Sequence, residues 1–168
     1  MLTLRADTVH VWYLDASALV KLVVDEGDHV AVREFYGNHP NCHATLPCLM
    51  EALGAIKAKW THKHITHTQY MRATSNLVID VWGRRLRADN VYLFSLDGFV
   101  AVQALAKKHQ LDLSDALQLE TLINGTFKHL ADDARPILIT ADRKLGEAAE
   151  REGIRVWHCI TDPAPMEV

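Results

Sequence analysis

Apolar positions fall in short, β-branched or aromatic runs separated by longer stretches of helical period. Val9-His10-Val11-Trp12-Tyr13-Leu14 is apolar throughout save His10 and reads as a buried strand. It leads into Asp15-Ala16-Ser17 and a short helix carrying Leu19, Val20, Leu22 and Val23, which Gly27 breaks. Asp28 to Tyr36 predicts a second helix ending near Gly37, and His43-Ala44-Thr45-Leu46 a weak strand. Pro47 sits where a first helical turn tolerates proline, opening a helix to about Trp60. Thr66 and Gln69 have capping-box spacing and begin a long amphipathic helix reaching about Leu86.

Val91-Tyr92-Leu93-Phe94 predicts another strand. Asp97 is placed to cap a helix carrying Val100, Ala104 and Leu105, and Ser114 one carrying Leu117, Leu119, Leu122 and Ile123. Pro136-Ile137-Leu138-Ile139-Thr140 is a clear strand. Asp142 then precedes a helix to Glu152, closed by Gly153, and Ile154-Arg155-Val156-Trp157 is a last strand. The tail from Asp162, with Pro163 and Pro165, is expected to fray. Strands that alternate with helices and lack a polar face indicate an α/β fold, a central parallel sheet of four to five strands flanked by helices on both faces. No repeat, low-complexity tract or linker divides the chain. Residues 1–168 are expected to form one domain, with a core at about 9–160 and peripheral ends at 1–8 and 161–168.

Composition narrows this only slightly. At 168 residues, 49% hydrophobic and 23% charged, the chain is ordinary for a globular domain able to bury a core without staples. No apolar run approaches the roughly 20 residues of a membrane span, and the N-terminus lacks the apolar stretch of a secretory signal. A cytoplasmic protein without membrane contact is the expectation. The three cysteines, Cys42, Cys48 and Cys159, form no C-x-x-C pair and read as reduced, buried thiols. A net charge of −3 leaves nucleic acid open as a partner, since a basic rim can surround an acidic pocket.

Candidate chemistry lies in four carboxylates. In open parallel sheets, sites form beyond the carboxyl ends of the strands. Asp15 directly follows the first strand and Asp142 follows the Ile137–Thr140 strand by one residue, so both fall on one sheet edge. Glu51 and Asp115 lie in the first turns of two other predicted helices, whose starts can face that edge. Each acid has a structural alternative: Asp15 and Asp142 as helix caps, Glu51 and Asp115 as complements to a helix dipole. Against it, Asp115 shares the helix face of Leu119 and Leu122, and Glu51 is surrounded by Ala52, Ala55 and Ala58. Two carboxylates about 5 Å apart repel by roughly 3 kcal/mol at an effective dielectric near 20. Four together either raise their own pKa values or take up a cation. Oxygen-only ligands favour Mg²⁺ or Mn²⁺, which can activate a water and neutralise a phosphoryl group.

Four segments containing these acids resemble PIN-domain nucleases, the group that includes VapC-type toxins. They are Tyr13-Leu14-Asp15-Ala16-Ser17-Ala18-Leu19-Val20-Lys21, Pro47-Cys48-Leu49-Met50-Glu51-Ala52-Leu53, Leu113-Ser114-Asp115-Ala116-Leu117-Gln118 and Leu138-Ile139-Thr140-Ala141-Asp142-Arg143-Lys144-Leu145. The ending, Ala148 to Ile154, is similar as well, so the likeness runs from about Val9 to Trp157. The resemblance implies a single PIN-like domain with Asp15, Glu51, Asp115 and Asp142 as the catalytic, metal-holding quartet and Ser17 and Thr140 as supporting hydroxyls. It further implies an endoribonuclease acting on RNA, the toxin of a type II toxin–antitoxin pair, with a protein antitoxin as partner and a homodimeric state. The chain departs from the pattern in its residues before Val9 and in a long, histidine-bearing middle section.

Arg143 and Lys144, beside Asp142, are the first candidates to hold RNA phosphates. His62, His64 and His67 read as a polar helix connection in preference to a zinc site, which wants three or four closed ligands. Trp60, Trp82 and Trp157 read as core or interface, and the Leu77–Trp82 helix is apolar enough to cover a core or a partner. Three other readings compete: a non-catalytic PIN-like RNA-binding or scaffold module, a phosphotransferase using Asp15 as nucleophile, and a metal-dependent DNA nuclease. The phosphotransferase ranks low because no second aspartate stands two residues after Asp15.

Overall fold

The computed structural model describes residues 2–4, 8–89, 95–131 and 134–167. The chain runs β1 (Thr3–Leu4), β2 (Trp12–Leu14), α1 (Ala16–Val23), α2 (His29–Asn38), β3 (Cys42–Thr45), α3 (Leu46–Thr61) and α4 (His67–Trp82). It continues with β4 (Leu86–Asp89), α5 (Leu96–His109), α6 (Leu113–Asn124), β5 (Ile137–Thr140), α7 (Arg143–Arg151), β6 (Arg155–His158) and β7 (Met166–Glu167). Strands β4-β3-β2-β5-β6 form a five-stranded sheet in which every pairing is parallel. This is the α/β fold with a parallel sheet that the strand–helix alternation predicts.

Alternation along each strand sends side chains to two separate cores. Trp12, Leu14, Ile137, Ile139 and Trp157 pack with α1, α2, α3 and α4. Val11, Tyr13, Leu138 and Val156 pack with α5, α6 and α7. Both faces are covered, which is why these strands carry almost no polar residue. No helix among the described residues is long and apolar enough to cross a membrane. All three cysteines are free and buried.

Several local expectations are met in detail. Thr66 and Gln69 form the full capping box of α4, Pro47 lies in the first turn of α3, and Gly153 takes a positive φ of 77° after α7. Four need correction: the end of α4, the cap of α5, the cap of α6 and the C-terminal tail. Helix α4 stops at Trp82, and Gly83 and Arg84 turn the chain into β4 at Leu86, where the amphipathic pattern had been extended into a helix. The reason is lateral pairing: Leu86–Asp89 lies along Cys42–Thr45, an interaction with no local signature. The expected strand Val91–Phe94 lies outside the described residues. Helices α5 and α6 are capped by Ser95 and Asp112, not by Asp97 and Ser114. The C-terminal tail does not simply fray: β7 pairs in parallel with β1.

The edge strand β4 is tied inward by a polar cluster. The Asp89 carboxylate accepts from the Tyr13 hydroxyl at 2.5 Å and from His43 Nδ1 at 2.8 Å, and both donors are almost wholly buried. Burial alone would raise the Asp89 carboxyl, but the His43 and Tyr13 hydrogen bonds outweigh it and hold the group below its ordinary value. Asp89→Ala is expected to cost about 2–4 kcal/mol, because it leaves two buried donors without an acceptor. A depressed carboxylate adds stability above its unfolded pKa of about 4 and loses it as pH falls through the folded value. Urea denaturation should therefore separate parent and variant at pH 7 and bring them together in acid.

Candidate active site

The chain reverses its direction of travel across the sheet between β2 and β5. It builds β2, β3 and β4 outward to one edge, then returns to add β5 and β6 on the other side of β2. Such a switch point opens a crevice at the carboxyl ends of the two strands, since the following helices leave on opposite faces. Leu14 pairs with Ile139, so Asp15 and Thr140 emerge side by side at that crevice.

Asp15 is buried, at 4% exposure, and its carboxylate is fully engaged. Oδ1 accepts the Ala18 amide at 2.7 Å and so caps α1. The Ser17 hydroxyl donates to Oδ1 at 2.7 Å, with Oδ2 at 2.9 Å, and the Thr140 hydroxyl donates to Oδ2 at 2.5 Å. Each hydroxyl also accepts from a backbone amide of the loop after β5: Ser17 Oγ from Ala141 across the crevice at 2.8 Å, and Thr140 Oγ from Asp142 in its own loop at 2.8 Å. The two hydroxyls thus clamp the loop after β5 onto the start of α1. Asp142 caps α7 through Oδ1, which accepts the Lys144 and Leu145 amides at 2.7 and 3.0 Å. Capping and site membership are compatible here, since Oδ2 takes no hydrogen bond from a described residue.

The remaining acids come from α3 and α6. Glu51 lies in the second turn of α3, one turn deeper than its expected position, and accepts the Ser114 hydroxyl at 2.7 Å. Ser114 is therefore a link between helices. Asp112 caps α6 by accepting the Asp115 amide at 2.9 Å, and no described donor meets the Asp115 side chain. Below them Cys48 donates to Gln118 Oε1 at 3.1 Å, while the buried Gln118 Nε2 has no partner among the described residues. Burial first, against a Thr45 hydrogen bond, and then the charges of Asp15, Glu51 and Asp115 push the Cys48 thiol up to about 12.

The four acids act on one another. Asp115 is pushed up to about 7, by burial first and then by Asp112, Asp142, Glu51 and Asp15. Asp15 rises to about 6, because burial outweighs the hydrogen bonds from Thr140, Ala18 and Ser17, with the Asp142 charge adding to it. None of the four forms an ion pair with a described Lys, Arg or His. The structure thus gathers Asp15, Glu51, Asp115 and Asp142 with Ser17 and Thr140 beside them, and it adds Asp112, a fifth acid that the sequence reading missed and that caps α6; its position three residues before Asp115 is the signal that would have found it.

This donor set suits a hard divalent cation: oxygen atoms only, excess negative charge and no cation to balance it. As the side chains stand, no group of three or more His, Cys, Asp or Glu among the described residues is drawn close enough to hold a metal. Glu51 and Asp142 are exposed, whereas Asp15 is buried. Arg143 and Lys144 both stand at the rim but are engaged, Arg143 with Glu147 at 2.7 Å and Lys144 with the Gln110 carbonyl. His62 and His64 lie in the exposed turn between α3 and α4, and His67 begins α4.

Comparison with family models and with curated proteins gives no match. Among solved structures, the crystal structure of PAE2754 from Pyrobaculum aerophilum superposes with a TM-score of 0.57 at 18% identity, covering 88% of this chain and 89% of that one. At that identity the likeness is one of fold.

Asp115→Asn gives a direct test of the repulsion. A carboxyl whose folded pKa lies above its unfolded value binds protons more tightly when folded, so stability falls as pH rises from about 4 to about 7. The variant removes that penalty. In EDTA at pH 8 it should exceed the parent by about 1–2 kcal/mol, discounted for the partial exposure of Asp115, and near pH 4 the two should coincide. Thermal melts at the two pH values read the difference. Equal stability at pH 8 would mean that the acids do not oppose one another as described.

Proposed function

We propose that this chain is a Mg²⁺- or Mn²⁺-dependent endoribonuclease. One observation carries the reading: four carboxylates from four separate elements converge on the switch point of a parallel sheet, and two of them, Asp15 and Asp115, have pKa values raised toward neutrality by burial first and then by the neighbouring acids. A hard divalent cation relieves that repulsion, and when bound it activates a water and neutralises charge on a phosphoryl oxygen. Asp15, Glu51, Asp115 and Asp142 are the groups that would hold it. Ser17 and Thr140 keep the Asp15 carboxylate in one orientation, and Ser114 steers Glu51 from the neighbouring helix. No side-chain nucleophile is required. Asp15 is a poor one, since both its oxygens are already hydrogen-bonded.

RNA as the substrate and the role of a toxin under a protein antitoxin, acting in the cytoplasm, rest on the motif resemblance. Support for a protein partner, whether an antitoxin or a second copy, comes from one further feature. A groove of about 700 Å³ between α3 and α4 is lined by Met50, Leu53, Tyr70, Val78, Ile79 and Trp82, and Trp82 is 81% exposed.

The test is cleavage of tRNA, rRNA and single-stranded DNA by the parent and by Asp15→Asn in Mg²⁺, Mn²⁺ or EDTA. The expected outcome is RNA cleavage that requires the ion and falls at least about 10²-fold in the variant. Cleavage at the parental rate by Asp15→Asn would sink the mechanism, and RNA retention without cleavage would favour a non-catalytic binding module. Thr140→Val, which keeps the shape but loses both hydrogen bonds of the hydroxyl, should lower kcat about 10-fold or more while the fold survives.

A further inference from the structure

Thr140 pairs with His158 across β5 and β6. Leu138 and Val156, two residues earlier on the same strands, belong to the core shared with α5, α6 and α7, so Thr140 and His158 leave the sheet on that side at its carboxyl edge. The His158 ring is built into α7: a β-carbon at Gly146 would stand 2.2 Å from its Cε1 and 2.8 Å from its Nδ1. Glycine inside a helix is unfavourable beside alanine, and the close approach of this ring accounts for it here.

Beside that ring lies a cavity of about 340 Å³ whose lining includes Thr140, Ala141, Arg143, Glu147, Glu150 and His158, with Ile160 and Thr161 completing it. Its volume is within the range of small-molecule sites, about 300–1,000 Å³. It shares a wall with the acid cluster, because the Thr140 hydroxyl holds Asp15 and the Ala141 amide donates to Ser17.

The charges select what enters. Arg143 is bound to Glu147 at 2.7 Å, and Arg151 lies 3.3 Å from the same carboxylate. Glu150 meets His158 Nε2 only at 3.4 Å and is half exposed, so most of its acceptor capacity is free. Glu147 is answered by the two guanidiniums, which leaves Glu150 as the carboxylate of this cavity with free acceptor capacity, and a free carboxylate favours N–H donors. A carboxylate accepts best from two adjacent donors. Guanine presents them as N1–H and the 2-amino group, whereas adenine and cytosine set a lone pair beside their amine and uracil flanks its one N–H with carbonyls. Ala141, Ile160 and the imidazole supply walls for a flat ring.

We propose that this cavity is a guanine subsite for the RNA strand held at the acids, with Glu150 reading the Watson–Crick edge and the His158 ring forming a wall beside it. The proposal rests on the nuclease reading above, and its test separates the two. In EDTA, guanosine, inosine, adenosine and uridine 5′-monophosphates are titrated into the full chain by amide-shift NMR. The guanosine nucleotide should shift Ala141, Glu150 and Thr161 and bind about 10-fold tighter than the inosine nucleotide, which lacks the 2-amino group. Glu150→Gln should remove that margin, and Gly146→Ala, by displacing the ring, should weaken guanosine binding in a folded protein. Equal binding of all four nucleotides, no binding of any, or a guanosine margin that survives Glu150→Gln overturns the assignment. Cleavage of short RNAs then compares kcat/KM with guanosine or inosine beside the cut. Guanosine binding without RNA cleavage keeps the subsite and defeats the nuclease reading; cleavage indifferent to inosine does the reverse.

Discussion

Parallel pairing of β2 with β5 is the constraint on which the rest of the site depends. It sets Asp15 against Thr140 and thereby fixes a buried carboxylate at the one place where the sheet opens a crevice. Everything nearby adapts to that group. Ser17 and Thr140 each give a proton to the carboxylate and take one from a backbone amide, so a charged group and two loop amides are satisfied by the same pair of hydroxyls. Removing the ladder would leave Asp15 a buried acid with half its partners.

The acid cluster works against the fold that holds it. Burial and mutual repulsion push Asp15 and Asp115 toward protonation, and the compensation is elsewhere, in two apolar layers that sandwich the sheet and in caps that fix each helix start. That arrangement makes the crevice responsive to a cation: the free energy held in repulsion becomes available to whatever neutralises it. Burial is graded to match, since Asp15 is buried while Glu51 and Asp142 are exposed to solvent.

The molecule divides its surface by chemistry. The carboxyl edge of the sheet carries the acids and, one strand spacing further, the His158 cavity. The apolar groove lies between α3 and α4, where Met50, Ile79 and Trp82 are exposed.

How much of this was legible in the sequence follows from the range of each interaction. Strand positions, the capping box at Thr66, the proline in the first turn of α3 and the turn at Gly153 are local, and they were readable because i to i+4 chemistry leaves a local record. The four acids stood out as candidates, Asp15 and Asp142 because they follow strands and Asp115 because it lies in a first helical turn, whereas Glu51 sits one turn deeper than its local pattern indicated. What required the tertiary structure was lateral: the pairing that turns Leu86–Asp89 from helix into strand, the parallel contact of β1 with β7, and the exchange of roles between Ser114 and Asp112. The same holds for the burial of Asp15 beside Thr140, 125 positions away, and for the glycine that admits His158. A sequence by itself determines which chemistry a segment can offer. Which groups are desolvated together, and so which charges must be answered, is decided only when distant strands pair, because Coulomb repulsion and desolvation depend on distance in space rather than along the chain.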